Sequence, residues 1–191
     1  MRTNYTLLLT FCLGLSIFKS AAVTVVYDNF SVVIPAFAYI KATTTPSAVS
    51  MTLTTPSAGA KTSTSTNSNL YLKVTSIVLP GKSRRITAKV SNSSIPTGTL
   101  LKVVSNDCSY PTTQGNFGNA VLSGVTLMKD VDQIIVDGIG SCYTGAATTD
   151  GYNLTFTWQP DDSYYYRLLS TGPGTGYMVN LTVTFTLSDN P

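Results

Sequence analysis

The most sharply patterned stretch of this chain lies near its C-terminal end, where Val179, Leu181, Val183, Phe185 and Leu187 alternate with Asn180, Thr182, Thr184 and Thr186. A period of two puts the apolar residues on one face of a β-strand and the hydroxyls on the other. The pattern predicts a central or well-paired strand with its apolar face buried. The same alternation recurs upstream. Tyr152, Leu154, Phe156 and Trp158 share one face, as do Ile86, Ala88 and Val90, and Leu70, Leu72 and Val74. Weaker pairs mark further strands at Val49 to Leu53, Leu101 with Val103, Val125 with Leu127, and Ile134 with Val136. Val23 to Tyr27 and Ser31 to Ile40 add two near the N-terminus.

Turn chemistry separates these runs. Pro80-Gly81, Pro96-Thr97-Gly98 and Pro160-Asp161-Asp162 punctuate the chain, and Asp137-Gly138 and Asp150-Gly151 suit hairpin turns with positive φ. Thr54 to Asn69 reads as a long Ser/Thr-rich loop, and no stretch carries a helical period. Short alternating strands with such punctuation predict an all-β, antiparallel β-sandwich of Ig-like or pilin-like topology. Its expected core includes Phe37, Val74, Ile86, Val103, Leu154, Phe156, Trp158, Leu181, Val183 and Phe185.

Composition supports the same class. The chain holds 30 Thr and 21 Ser, no Glu and no His, and its nine acids are all Asp. Thr, Val, Ile and Tyr fit pleated surfaces, whereas the missing Glu removes a strong helix former. A net charge of +3 leaves no basic footprint for nucleic acid.

Residues 1–22 read as an export leader: Arg2 is the positive start, Leu7 to Phe18 is an apolar stretch too short to span a bilayer, and Ser20-Ala21-Ala22 suits cleavage before Val23. The competing reading, a lipid attachment at Cys12, conflicts with the bulky Phe11 before it. Residues 23–191 then form one domain, secreted or held at a cell surface, with no membrane-spanning segment after cleavage. Cys108 and Cys142 remain, and an even pair in an oxidising compartment predicts a disulfide. Closing that loop is worth roughly 3–4 kcal/mol in the chain-entropy model.

Candidate chemistry is sparse. Without His, Ser-His-Asp and Cys-His sites and His metal sites are excluded. Asp130 with Asp132, and Asp161 with Asp162, lie in turn-like contexts that suit solvated acids better than paired catalysts. Asp130, Asp132 and Asp137 are oxygen ligands for calcium by type, but their spacing is not that of an EF-hand. Gly172 to Gly176 precedes a strand and carries no Lys, unlike a phosphate loop. Lys82, Arg84 and Arg85 read as the solvated end of a hairpin. No enzyme, cofactor or metal site is expected. The tyrosines are the remaining excess. Tyr164, Tyr165 and Tyr166 are consecutive, so at least one faces outward in an extended segment, and exposed rings stack on sugars or anchor proteins. Tyr143, Tyr165 and Tyr177 are the candidate glycan-binding aromatics. Sequons at Asn29, Asn92, Asn153 and Asn180 match the glycosylation pattern.

Three stretches, Ile139-Gly140-Ser141-Cys142-Tyr143-Thr144-Gly145, Gly151-Tyr152-Asn153-Leu154-Thr155-Phe156-Thr157-Trp158 and Val183-Thr184-Phe185-Thr186-Leu187-Ser188-Asp189, resemble a recurring class of small secreted bacterial β-sandwich proteins. The organisation is also similar to fimbrial, pilin-like subunits and spore-coat-type secreted pilus domains, although the chain lacks the near-terminal aromatic of chaperone-dependent pilins. The resemblance implies a structural or adhesive surface role without catalytic residues. Assembly would proceed by strand addition, in which an extended segment of a neighbour completes an open sandwich. Val23, Val25 and Tyr27 are the candidate donor strand, against the alternative that they pair within their own sheet. The expected function is therefore a non-enzymatic extracellular or cell-surface protein, partnered by its own copies or other surface proteins. The alternative is a carbohydrate-binding module.

Overall fold

The computed structural model describes residues 31–44, 49–54, 57–108, 115–167 and 179–191. The expected leader over 1–22, the candidate donors Val23, Val25 and Tyr27, and Tyr177 lie outside them. The chain divides into two units between Val33 and Ile34, and the second, Ile34–Pro191, carries the fold described below.

Alternation becomes burial with little loss. Thr99, Leu101, Val103 and Ser105 are all buried along β4 (Thr99–Ser105), and the residues between them are half-exposed. Tyr152, Leu154 and Phe156 do the same at the start of β9 (Tyr152–Pro160). Eight more strands stand among the described residues: β1 (Phe37–Thr44), β2 (Ser65–Ile77), β3 (Arg84–Val90), β5 (Asn119–Ala120), β6 (Val125–Thr126), β7 (Gln133–Ile139), β8 (Cys142–Tyr143) and β10 (Val183–Asp189). One sheet runs β1-β2-β9-β4-β6, with β8 on β2, and the other runs β10-β3-β7-β5. Every strand pairing is antiparallel. The protein is an all-β antiparallel sandwich, as the pattern predicted. Leu72, Val74, Leu101, Val103 and Leu154 from one sheet and Ile86, Ala88, Val136 and Ile139 from the other form a single buried cluster.

Five expectations are corrected. The C-terminal strand is neither central nor fully buried: β10 is an edge strand whose one neighbour among the described residues is β3, and Val183, Phe185 and Leu187 are half-exposed. Periodicity reports which residues share a face, not whether a further strand covers the edge. Thr54 to Asn69 is not all loop, because β2 begins at Ser65. Its Ser65, Thr66 and Asn67 pair with Trp158, Thr157 and Phe156, and a bulge before Leu70 restores the register. Asp137-Gly138 is no hairpin turn. It lies inside β7, where Gly138 has φ 75° and its N–H donates to the Asp137 carboxylate at 2.9 Å, and the β3–β7 register shifts there. The positive φ serves a bulge. Val49 and Met51 form no strand, although both pack against the core. Phe37, expected in the core, lies on the outer face of β1 against Tyr39, ring centroids 5.6 Å apart.

The two poles of the sandwich differ. At one, Arg84 of β3 is buried and crosses between the sheets. Its Nε donates to Asp189 Oδ1 on β10 at 2.8 Å, and its Nη1 reaches the Phe37 carbonyl at 2.5 Å, Ser76 Oγ at 2.9 Å and the Ile77 carbonyl at 3.2 Å. One guanidinium thus ties β1, β2, β3 and β10. The expected solvated hairpin end is corrected here, because the sequence cluster carries no sign that this cation meets two carbonyls where β1 starts and β2 ends. At the other pole the sheets stay apart. Among the described residues no helix is long and apolar enough to cross a membrane.

Candidate functional site

The open pole is built from the inward residues at the far ends of the same strands. Ala42 of β1, Leu70 of β2, Leu101 of β4, and Phe156 and Trp158 of β9 face Val183 and Phe185 of β10 across a cavity of about 440 Å³. Val49, Met51, Pro96, Val179 and Leu181 close its rim, and Asn180 is the polar residue of its wall. The cavity exists because β10 ends its sheet, so no strand lies beyond Val183 and Phe185 to fill the gap on that side. β1 and β10, edge strands of the two sheets among the described residues, are in contact with each other. An apolar cleft of this size, flanked by a strand with an unpaired edge among the described residues, has the two elements that accept an added strand: pockets for alternate side chains and main-chain donors and acceptors.

Trp158 adds a polar feature to this wall. Its Nε1 is buried and has no hydrogen-bond partner among the described residues. A buried indole N–H without an acceptor is costly, and this one sits in the wall behind the cavity surface. The alternation had placed Trp158 in the core. It gave no sign that the core would stop short of this side chain.

The tyrosines do not assemble as expected. Tyr143 stands on β8 opposite Thr75 and is 47% exposed. Tyr165 is half-buried, and its hydroxyl oxygen accepts the Thr62 N–H at 3.2 Å. Thr62 precedes one end of β2 and Thr75 lies near the other, about 30 Å away at strand rise. Tyr143 and Tyr165 therefore cannot share one ligand platform. The exposed rings in the triplet are instead Tyr164 and Tyr166.

Cys142 on β8 is buried, and Cys108, beyond the end of β4, packs against the same core. The disulfide expected from their number is not seen in this structure. Burial, and secondly the neighbouring Cys108, push the Cys142 thiol up to about 11. Burial likewise raises Tyr152, helped by both cysteines and Asp107, and its hydroxyl donates to the Phe117 carbonyl. A thiol and a phenol both held neutral make this a structural cluster with no poised nucleophile.

The acidic residues are separately committed. Asp132 meets Lys89 at 3.5 Å and the Thr87 hydroxyl at 3.4 Å, while Asp137 accepts from Gly138 and, at 2.7 Å, from Asn190. Asp130 occupies a left-handed turn at φ 59°. Among the described residues no three His, Cys, Asp or Glu side chains gather as a metal site. No protein-family model matches the chain, and no curated protein or solved structure matches it either.

Proposed function

We propose that this protein is a non-enzymatic structural or adhesive protein of the extracellular or cell-surface space, a fimbria-like subunit that associates by strand addition. One observation carries the reading: the apolar cavity at the open pole lies beside β10, an edge strand with a single strand neighbour among the described residues. A long alternating edge is a template for pairing unless something covers it. The leader-like N-terminus supports export, and a second copy is the partner that the resemblance to pilin-like subunits suggests.

Trp158, the only tryptophan of the chain, lines this cavity and gives a direct test. Electron microscopy of the purified mature protein should show filaments or short oligomers. Assembly should shift Trp158 emission to the blue as the added strand excludes water from the indole. Monomers at every concentration, with emission unchanged by added N-terminal peptide, would overturn the reading.

The carbohydrate-binding alternative draws on the exposed tyrosine rings, in a different grouping from that expected. It is compatible with the first reading, because adhesion requires a ligand.

A further inference from the structure

We propose that the turn after β9 binds an acidic saccharide. The sugar would sit on the exposed rings of Tyr164 and Tyr166, with its carboxylate or sulfate on Arg167. The inference deepens the adhesive reading above and rests on it for biological meaning, although the site does not require assembly.

The turn is held from several sides. The Asp161 N–H donates to the Gly98 carbonyl at 2.8 Å, Ser163 N–H donates to the Asp161 carboxylate at 3.0 Å, and Tyr164 N–H donates to the Asp161 carbonyl at 3.0 Å. Lys61 grips Asp162 through both oxygens at 2.8 and 3.0 Å, and Thr62 N–H holds the Tyr165 hydroxyl. Residues 165–167 then form one turn of 3-10 helix, closed by Arg167 N–H on the Tyr164 carbonyl at 2.8 Å. Side chains three apart eclipse in this helix, whereas consecutive ones diverge by about 120°. That geometry turns Tyr165 inward and stacks Arg167 on Tyr164.

The resulting cluster has specific chemistry. The Arg167 guanidinium lies 4.8 Å from the Tyr164 ring centroid and 5.5 Å from that of Tyr166. The two rings are 6.4 Å apart and inclined at 57°, and they are 46% and 75% exposed. Cation–π contact holds the guanidinium while leaving its N–H edge available. Arg167 makes no ion pair among the described residues, and the nearby Asp162 is engaged by Lys61. Splayed rings offer apolar faces to the C–H surface of a pyranose, and a guanidinium fork matches a carboxylate or sulfate in two hydrogen bonds. A neutral sugar would leave the fork without a partner. A nucleic acid would need several phosphate contacts, and the turn supplies one free-standing cation among the described residues.

The test is a titration of the full mature protein, in 150 mM salt, with hexagalacturonate and a heparin-derived hexasaccharide. Chitohexaose and hexaglutamate are the neutral and peptidic comparisons. Both acidic saccharides should bind and perturb the Tyr164, Tyr166 and Arg167 resonances, with chitohexaose and hexaglutamate much weaker. Arg167→Gln should weaken binding about tenfold or more, because it removes a charged bidentate contact. Tyr166→Ala should weaken it by roughly fivefold, Arg167→Lys should fall between Gln and wild type, and Lys82→Gln at the other pole should change it less than about twofold. Unchanged denaturation midpoints would establish that these surface variants fold. Absence of acidic-saccharide binding at millimolar concentration, equal binding of hexaglutamate, or an equal loss in Lys82→Gln would each overturn the proposal. Filaments that bind no saccharide would sink this inference alone, whereas monomers that bind would sink only the assembly.

Discussion

Arg84 gives the sharpest test of how the sandwich is held. Replacing it by Met keeps much of the buried stem and removes the guanidinium. The Asp189 pair contributes little, because its carboxylate side chain is 80% exposed and solvent screens it. The cost comes from the other contacts. The Phe37 and Ile77 carbonyls and the Ser76 hydroxyl would lose a charged donor at a buried position. With an unsatisfied acceptor costing about 1–3 kcal/mol when buried, and less at the two half-buried carbonyls that water can reach, Arg84→Met should lose roughly 2–4 kcal/mol. That is a large part of the 5–15 kcal/mol or so by which a typical domain is stable. Asp189→Asn should lose less than about 1 kcal/mol. Arg84→Lys should fall between them, because a point ammonium cannot reach acceptors on three other strands at once. Urea denaturation compares the three through the midpoint at constant slope. A loss below about 1 kcal/mol in Arg84→Met would refute the clamp, as would an equal loss in Asp189→Asn.

Other outcomes follow from the cysteines and a glycine. In an oxidising medium Cys108 and Cys142 are expected to close, giving two hydrogens to an external disulfide and lowering the intact mass by about two units; an unchanged mass after full oxidation would refute this. With both thiols intact, Cys142 is raised from 9.0 to about 11, so the stability it contributes is complete below about pH 9. It is lost as pH rises towards 11, because the unfolded chain gives up its proton first. Denaturation midpoints at pH 8 and 10.5 should therefore diverge more for the reduced protein than for the oxidised one. Gly151 has φ 101°, and a Cβ there would collide with the Leu72 carbonyl, whereas one at Gly59, φ 83°, meets open space. Gly151→Ala should cost about 2–3 kcal/mol or more and Gly59→Ala only about 1 kcal/mol, read by thermal denaturation; equal costs would remove the steric argument.

The sequence made faces legible and left edges hidden. The alternation in Tyr152 to Phe156 and in Ile86 to Val90 names buried side chains correctly, because the pleat converts period directly into side. The same rule misjudged Val179 to Leu187, since burial of a face also depends on how many strands lie beside it. Asp137-Gly138 announced a positive φ but not that a bulge would use it. Ser65 to Asn67 looked like loop because their strand preference comes from pairing with β9, a partner remote in sequence. For the candidate site, Trp158 and Phe185 were visible as apolar positions, while the cavity between them was not. A void is a property of two sheets and belongs to no segment. The Tyr164–Arg167 cluster was half visible. Three consecutive tyrosines guaranteed an exposed ring, but an extended reading could not show that a 3-10 turn would eclipse Arg167 with Tyr164.

Arg84 also has a mechanical meaning. It grips the start of β1 through the Phe37 carbonyl and the end of β10 through Asp189, so the first and last strands of this unit are fastened at one point. Tension applied at those two ends would pull directly on that point, with the strands beyond it loaded in a peeling direction, one rung at a time. Such an arrangement gives way at a low threshold once its fastening fails. The exposed Asp189 pair would part first under such a load, and the resistance beyond it would come from the β1–β2 and β3–β10 ladders.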